Sequence, residues 1–435
     1  MKRNAKIAVI GGGPMGLSVA YELTLKGFKP IVFEADNRLG GMASCFDFEG
    51  LEIERYYHFH CLNDNSFLEM LDEIGLKDQM NWKKTKMGFF YDGKLYRWGS
   101  VASVIRFSKI TLITRVRYLL HAARCLTIND WSHLDNINAI DWLKKWLGEE
   151  GYKKLWEKLF LYKFYGFSNL ISAAWIWSRI KRLGQSRKKL IENLGFLNYG
   201  SMQLINELSK LISKNGGVIK LSSPIIKINP SEISGAILKT PFDEYKFDLV
   251  ISTIPLPLIG NIFKNSKINK SLTNSYQNLN YVACACVILK TRKKVTNNFW
   301  TNINDDRFSI PGIIEMSNLR DLPVHIIYIP FYMPENHPDY LREDDLFIKD
   351  AWGCVKSINP NLSIEDLISS HCSRYRYAQP VCGMNYKDKL PSQEPFNNIF
   401  TVDTTAYYPE DRGISESINF GRNLVRQILS RYDTL

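Results

Sequence analysis

Residues 6–16 read KIAVIGGGPMG. The apolar, β-branched run Lys6 to Ile10 ends abruptly at glycines, and Leu17 to Lys26 then follows helical spacing and stops at Gly27. That order predicts strand, glycine turn and helix, and Pro30 to Glu34 (PIVFE) predicts a second strand ending on an acid. Gly11 permits the tight turn, Gly13 lets the backbone approach a pyrophosphate, and Gly16 lets the helix pack on the strand. The helix N-terminus offers N–H groups and the positive end of its dipole to phosphates. Glu34 lies 18 residues beyond Gly16, where a carboxylate accepts hydrogen bonds from a ribose diol. The same carboxylate repels a 2′-phosphate, which disfavours NADP. Three glycines alone often make only a turn; strand, helix, second strand and terminal acid in this order predict a dinucleotide site.

Directly after the second strand comes Arg38-Leu39-Gly40-Gly41-Met42-Ala43-Ser44. Here the chain resembles the large family of FAD enzymes that includes monoamine oxidases, protoporphyrinogen oxidases, phytoene desaturases and UDP-galactopyranose mutases. That family follows its second strand with R-x-G-G-R-x-x-S/T, matched at Arg38, Gly40, Gly41 and Ser44; Met42 stands where an arginine is usual. The resemblance implies an extended FAD lying close to this backbone. It also implies that Ser223 to Ile228 is the strand beside the adenine, with Ile225 in contact. Phe247 to Pro255 (FDLVISTIP) is similar to the strand that returns to the FAD sheet. Near the end, Asn398 to Asp403 and Arg412 to Ile418 resemble the family's closing strand and helix. Asp403 would bond the ribityl or phosphate region, while Arg412, Gly413 and Ile414 would meet the flavin; Val402 replaces the usual glycine before the acid.

The fold so implied is α/β, a Rossmann-like FAD-binding domain of the GR2 type with an inserted α+β substrate domain. Segments 1–85, 195–260 and 395–435 would build the FAD domain. Segment 86–194 would be the helical part of the substrate domain, dense in tryptophan, and 261–394 its sheet part, with strand-like runs at Cys284 to Leu289 and His325 to Pro330.

At 435 residues, with 45% hydrophobic and 23% charged residues, the chain has room for two or three folded domains and little room for long disorder. The basic start precedes too short an apolar run for a signal peptide, and the longest apolar stretch, Tyr281 to Leu289, is about half of the ~20 residues a membrane helix needs. The eight cysteines form no C-x-x-C pair, so neither a metal site nor a redox dithiol is expected. A cytoplasmic protein is the expectation. The net charge of +12 is spread along the chain and accompanies no nucleic-acid motif. It points instead to a phosphorylated or lipid-linked small molecule, or to a membrane surface. Residues 101–125 set Arg106, Lys109, Arg115, Arg117 and Arg124 among aliphatic side chains at helical spacing. That pattern suits either peripheral contact with the inner face of an anionic membrane or a solvated face of packed helices.

A flavin performs its own electron transfer, so the protein's task is to position the substrate and tune the ring. Arg55-Tyr56-Tyr57-His58-Phe59-His60 follows the glycine pair. It is similar to the His-x-Phe-His cluster of UDP-galactopyranose mutases at Phe59-His60, with Tyr57 in place of the first histidine. His58 and His60 are candidate general acids or bases, or plain strand caps. Arg374 and Arg376 share one face of a predicted strand and are candidates to grip a diphosphate. Glu410, before the closing helix, is a further catalytic candidate. Two functions remain open: an FAD-dependent oxidoreductase moving a hydride between an organic substrate and flavin N5, and a non-redox nucleotide-sugar mutase resembling UDP-galactopyranose mutase.

Overall fold

The strand Ile7–Ile10 is the centre of the molecule's parallel sheet because all four of its residues are apolar and buried. The computed structural model describes residues 4–188 and 191–433. The sheet runs Val218–Lys220, Ile31–Phe33, Ile7–Ile10, Leu249–Ser252 and Ile399–Thr401, every pairing parallel. Strands buried on both faces read as continuous apolar runs, as Ile7–Ile10 and Ile31–Phe33 do, whereas the edge strand Val218–Lys220 is partly exposed. The helix Pro14–Leu25 starts with proline in its first turn and ends before Gly27, whose φ of 83° closes it. It packs against the C-terminal helix Ile414–Asp433, where a Cβ on Gly421 would come within 2.9 Å of the Met15 carbonyl oxygen. Glu22 is buried at that contact and takes Arg422 at 2.8 Å and Arg426 at 3.0 Å.

A second, seven-stranded sheet runs Leu367–Pro380, Tyr281–Thr291, His325–Pro334, Gly312–Glu315, Trp300–Asn304, Met87–Tyr91 and Lys94–Trp98. Tyr281–Thr291 is buried along its whole length and pairs antiparallel with both neighbours. Helices Leu112–Thr127, Ala139–Leu155, Glu157–Phe164 and Ala173–Gln185 follow this sheet's Lys94–Trp98 in sequence and precede the first sheet's Val218–Lys220.

Two local expectations change. Met87–Trp98, read within the helical stretch 86–194, is a strand hairpin at the edge of the seven-stranded sheet. Asp92 and Gly93 both adopt positive φ, as a two-residue Asp-Gly turn requires, and the turn's twist matches its strands. The adenine-side strand starts only at Lys227: Ser223 to Ile226 precede it outside any strand, and Pro224 has no N–H for a ladder.

Candidate functional site

A cavity of about 1090 Å³ runs from the first glycine turn to the seven-stranded sheet. That is at the top of the ~300–1,000 Å³ usual for small-molecule sites, so it has room for more than one ligand. At one end Gly11, Gly13, Glu34, Gly41 and Met42 form its wall. The turn is built tightly: a Cβ on Gly16 would lie 1.9 Å from the Gly11 carbonyl oxygen, and Gly11 itself has φ of 106°. Gly13 is the contrast, since a Cβ there would meet no protein atom within 4 Å. Its hydrogens face the open cavity, which is the clearance a pyrophosphate needs. Glu34 accepts the Gly12 N–H at 2.7 Å through one oxygen and the Asp36 N–H at 2.8 Å through the other. Gly40, at φ 108°, donates to the Gly12 carbonyl at 2.9 Å, so the two glycine turns form one wall.

Asp403 lies deeper. One carboxylate oxygen accepts the Thr405 N–H and hydroxyl at 2.9 and 2.6 Å; the other accepts the Leu256 N–H at 2.9 Å and the Tyr281 hydroxyl. Burial pushes its pKa up while these donors oppose the shift. Asp403 therefore joins the end of the parallel sheet to the start of the helix Leu256–Asn265 and to the strand Tyr281–Thr291 of the second sheet. Arg412, Gly413 and Ile414 line the cavity where the closing helix begins. The Arg412 side chain donates to the Ala378 carbonyl.

Beyond them sits a polar cluster in which sequence reading singles out Tyr57 and Arg412 but not Lys163, Arg179 or Tyr332. The hydroxyls of Tyr57 and Tyr332 are 3.3 Å apart, and the Lys163 ammonium is 5.3 Å from the centre of the Tyr332 ring. Asp411 takes Arg179 at 2.5 Å, Gln379 at 2.7 Å and the Arg412 N–H at 2.9 Å. Burial raises the Asp411 carboxyl, but Arg179, Lys163 and Arg412 together hold it well below the ordinary carboxylate range. Burial, reinforced by the charge of Arg179, drives the Lys163 amine well below the usual lysine value. Burial likewise keeps Tyr57 and Tyr332 protonated. Lys163 and Tyr332 come from a helix and a strand far apart in sequence, so no local pattern announces them. Arg55 also lines the cavity, paired with Asp36 at 3.0 Å.

The remaining candidates fall as follows. His58 lines the cavity, its Nδ1 2.9 Å from the Tyr56 carbonyl, and burial lowers its pKa. His60 stacks on Phe67 with ring centres 3.6 Å apart, and burial lowers it to about 3, so it stays neutral near neutral pH. Arg374 reaches the cavity wall, but its guanidinium is held by the Tyr340 and Arg342 carbonyls and by Asp344. Arg376 donates to the Glu335 carbonyl at 2.9 Å and covers the Tyr340 ring. The strand alternation does put both arginines on one face, yet the loop 335–344 takes their donors. Glu410 is exposed and lies outside the cavity wall. So does Arg38, which donates to the Cys45 carbonyl at 3.0 Å. Ile225 packs in the core with Ile10 and Phe33, also outside the wall.

A parallel sheet with two glycine turns at the mouth of a long, partly apolar cavity defines a flavin-dependent enzyme. The profile of the family described as flavin containing amine oxidoreductase matches residues 16–403, and the chain belongs to that family, with FAD as its cofactor. The chain is 31% identical over 94 residues to a 15-cis-phytoene desaturase of Narcissus pseudonarcissus, a match spanning 21% of this chain and 16% of that protein. Its fold is similar to that of reduced UDP-galactopyranose mutase, with a TM-score of 0.75 at 16% identity over 98% of this chain and 96% of the other. It is also similar to cyclohexylamine oxidase from Brevibacterium oxydans IH-35A, with a TM-score of 0.74 at 13% identity over 99% and 100%. The glycine walls and the open face of Gly13 fit FAD, which Gly11, Gly13, Glu34, Gly41 and Gly413 would hold.

Proposed function

We propose that the protein oxidises an organic substrate by removing a hydride, with Lys163 taking the accompanying proton. When bound, FAD supplies the two-electron acceptor. The observation that carries this reading is the place of Lys163: its amine lines the cavity beside the Tyr332 ring, where burial disfavours the ammonium and so favours the free lone pair a general base needs. No hydrogen-bond acceptor tethers it among the described residues, so it remains free to meet a substrate N–H or C–H. The Tyr57 and Tyr332 hydroxyls stay protonated and orient the substrate's polar group. Arg412 lines the cavity where the closing helix begins, and there its positive charge would stabilise the negative charge gained by the acceptor of the hydride. A substrate C–H bond breaks with both electrons leaving as hydride to the two-electron acceptor, the adjacent N–H or C–H bond breaks with its pair becoming the new π bond, and its proton passes to the Lys163 nitrogen.

The mutase reading needs a cationic grip on a nucleotide diphosphate. Arg374 and Arg376, its candidates, spend their donors on the loop 335–344. Anaerobic mixing of the oxidised holoenzyme with amines, alcohols and unsaturated hydrocarbons tests the proposal: a substrate should bleach the flavin absorbance. Isomerisation of a nucleotide-sugar by the dithionite-reduced enzyme, without net change in flavin oxidation, would overturn it.

A further inference from the structure

The helix Leu112–Thr127 carries an apolar stripe that nothing in the fold covers. Leu112, Ile113, Val116 and Leu120 are 65%, 72%, 48% and 59% exposed. At ~100° per residue they fall on one face with Leu119, Ala123 and Leu126. Thr114, His121 and Cys125, on the opposite face, are buried, and they fix the stripe's direction. The preceding short helix Val101–Arg106 adds exposed Val101 and Ile105.

The segment's own charges have one sign, although Asp92 pairs with Lys109 and Glu150 accepts from Thr111 and Thr114 at the start of the helix. Residues 101–127 contain Arg106, Lys109, Arg115, Arg117 and Arg124 and no aspartate or glutamate. On the helix, Arg115 borders the stripe on one side and Arg117 with Arg124 on the other. Arg115 and Arg117 are held by uncharged carbonyls, of Ile105 and Ile110 and of Lys145 and Trp146, so their charge is not neutralised. Exposed aliphatic side chains between rows of uncompensated arginine match a surface with a hydrocarbon interior and anionic headgroups.

The stripe is continuous with the cavity. Val101, Leu119, Ala123 and Leu126 belong both to this face and to the cavity wall that leads to the Tyr57 and Lys163 cluster. Among the described residues no helix is long and apolar enough to cross a membrane, so any lipid contact is made by lying on the surface.

We propose that this face seats on an anionic phospholipid bilayer, Leu112 and Ile113 entering the acyl region and the arginines meeting the headgroups, so that the cavity opens toward the membrane. Docking is independent of turnover, and its test therefore stands or falls apart from the redox reading. The holoenzyme is floated with vesicles of phosphatidylcholine and with vesicles of phosphatidylcholine mixed with phosphatidylglycerol. It should rise with the mixed vesicles only, and less at high salt. A Leu112→Asp/Ile113→Asp variant should lose about tenfold or more of the floated fraction, while its flavin absorbance and melting temperature stay those of the wild type. An Arg106→Glu/Arg124→Glu variant should lose the preference for anionic vesicles. Absence of flotation, or flotation unchanged in both variants, overturns the proposal. So does a wild-type dimer by light scattering that the aspartate pair converts to monomer, because a second copy would then be the occupant.

Discussion

The Glu34 carboxylate accepts the backbone N–H of Gly12 at 2.7 Å, so the acid that ends the second strand also sets the shape of the first glycine turn. With its other oxygen on the Asp36 N–H, Glu34 braces the loop before any ligand arrives. Glu34→Ala should leave two amides without their acceptor and weaken FAD retention by about 1–3 kcal/mol, roughly one to two powers of ten. Flavin content after extensive dialysis measures the loss.

The glycines of the turn should separate by role. Gly16→Ala puts a Cβ 1.9 Å from the Gly11 carbonyl oxygen and should abolish the soluble fold or lower the melting temperature sharply. Gly13→Val adds atoms only to the cavity, since no protein atom lies within 4 Å of a Cβ there. That variant should fold with near-native circular dichroism and take up no flavin.

Replacing Lys163 by Met should retain FAD and lower kcat/KM with the bleaching substrate by roughly 10²–10⁴-fold. Because burial lowers this amine's pKa, its free-base fraction grows as pH rises through the lowered value, and the wild-type rate should rise with it. The acid limb of the pH–rate profile should vanish in Lys163→Met.

Glu416, in the first turn of the closing helix, is pushed up to about 7 by burial, with Arg182 at 3.9 Å opposing the shift. A carboxyl whose folded value is raised stabilises the fold fully below its unfolded value near 4.5 and loses that contribution as pH rises through about 7. Melting temperature should therefore fall between about pH 5 and 8. Glu416→Gln should flatten that decline, removing a slope worth up to about 3 kcal/mol. Glu315, also raised to about 7 by burial, acts in the same direction and leaves a residual slope.

Arg422 pairs with Glu22, which is buried on the inner face of the first helix. Arg422→Met leaves that carboxylate with Arg426 alone and should cost about 1.5–3 kcal/mol, read as a shift in the urea midpoint.

The cofactor end was legible because its signals are local: glycines, Pro14 and Glu34 act through backbone geometry within one strand-turn-helix unit. The returning strand Leu249–Ser252 and the closing residues Asp403, Gly413 and Ile414 were found through resemblance rather than spacing. The substrate end was largely hidden. Alternation placed Arg374 and Arg376 on one strand face, but not Tyr340 and Asp344, which occupy them. Phe59-His60 suggested proton chemistry, whereas stacking on Phe67 and burial keep His60 neutral. Lys163 gains its character from burial in the folded cavity and from the charge of Arg179, and neither is read from its neighbours in the sequence. The Asp92-Gly93 turn was visible and overlooked, masked by the helical pattern that follows it.

The contact between Glu22 and Arg422 joins positions 400 residues apart. A ribosome thus completes the glycine turn long before the helix that backs it. During synthesis the nucleotide-binding half waits, with one flank of its first helix bare, for a partner not yet made. Until that helix is made, the bare flank is open to non-native contacts.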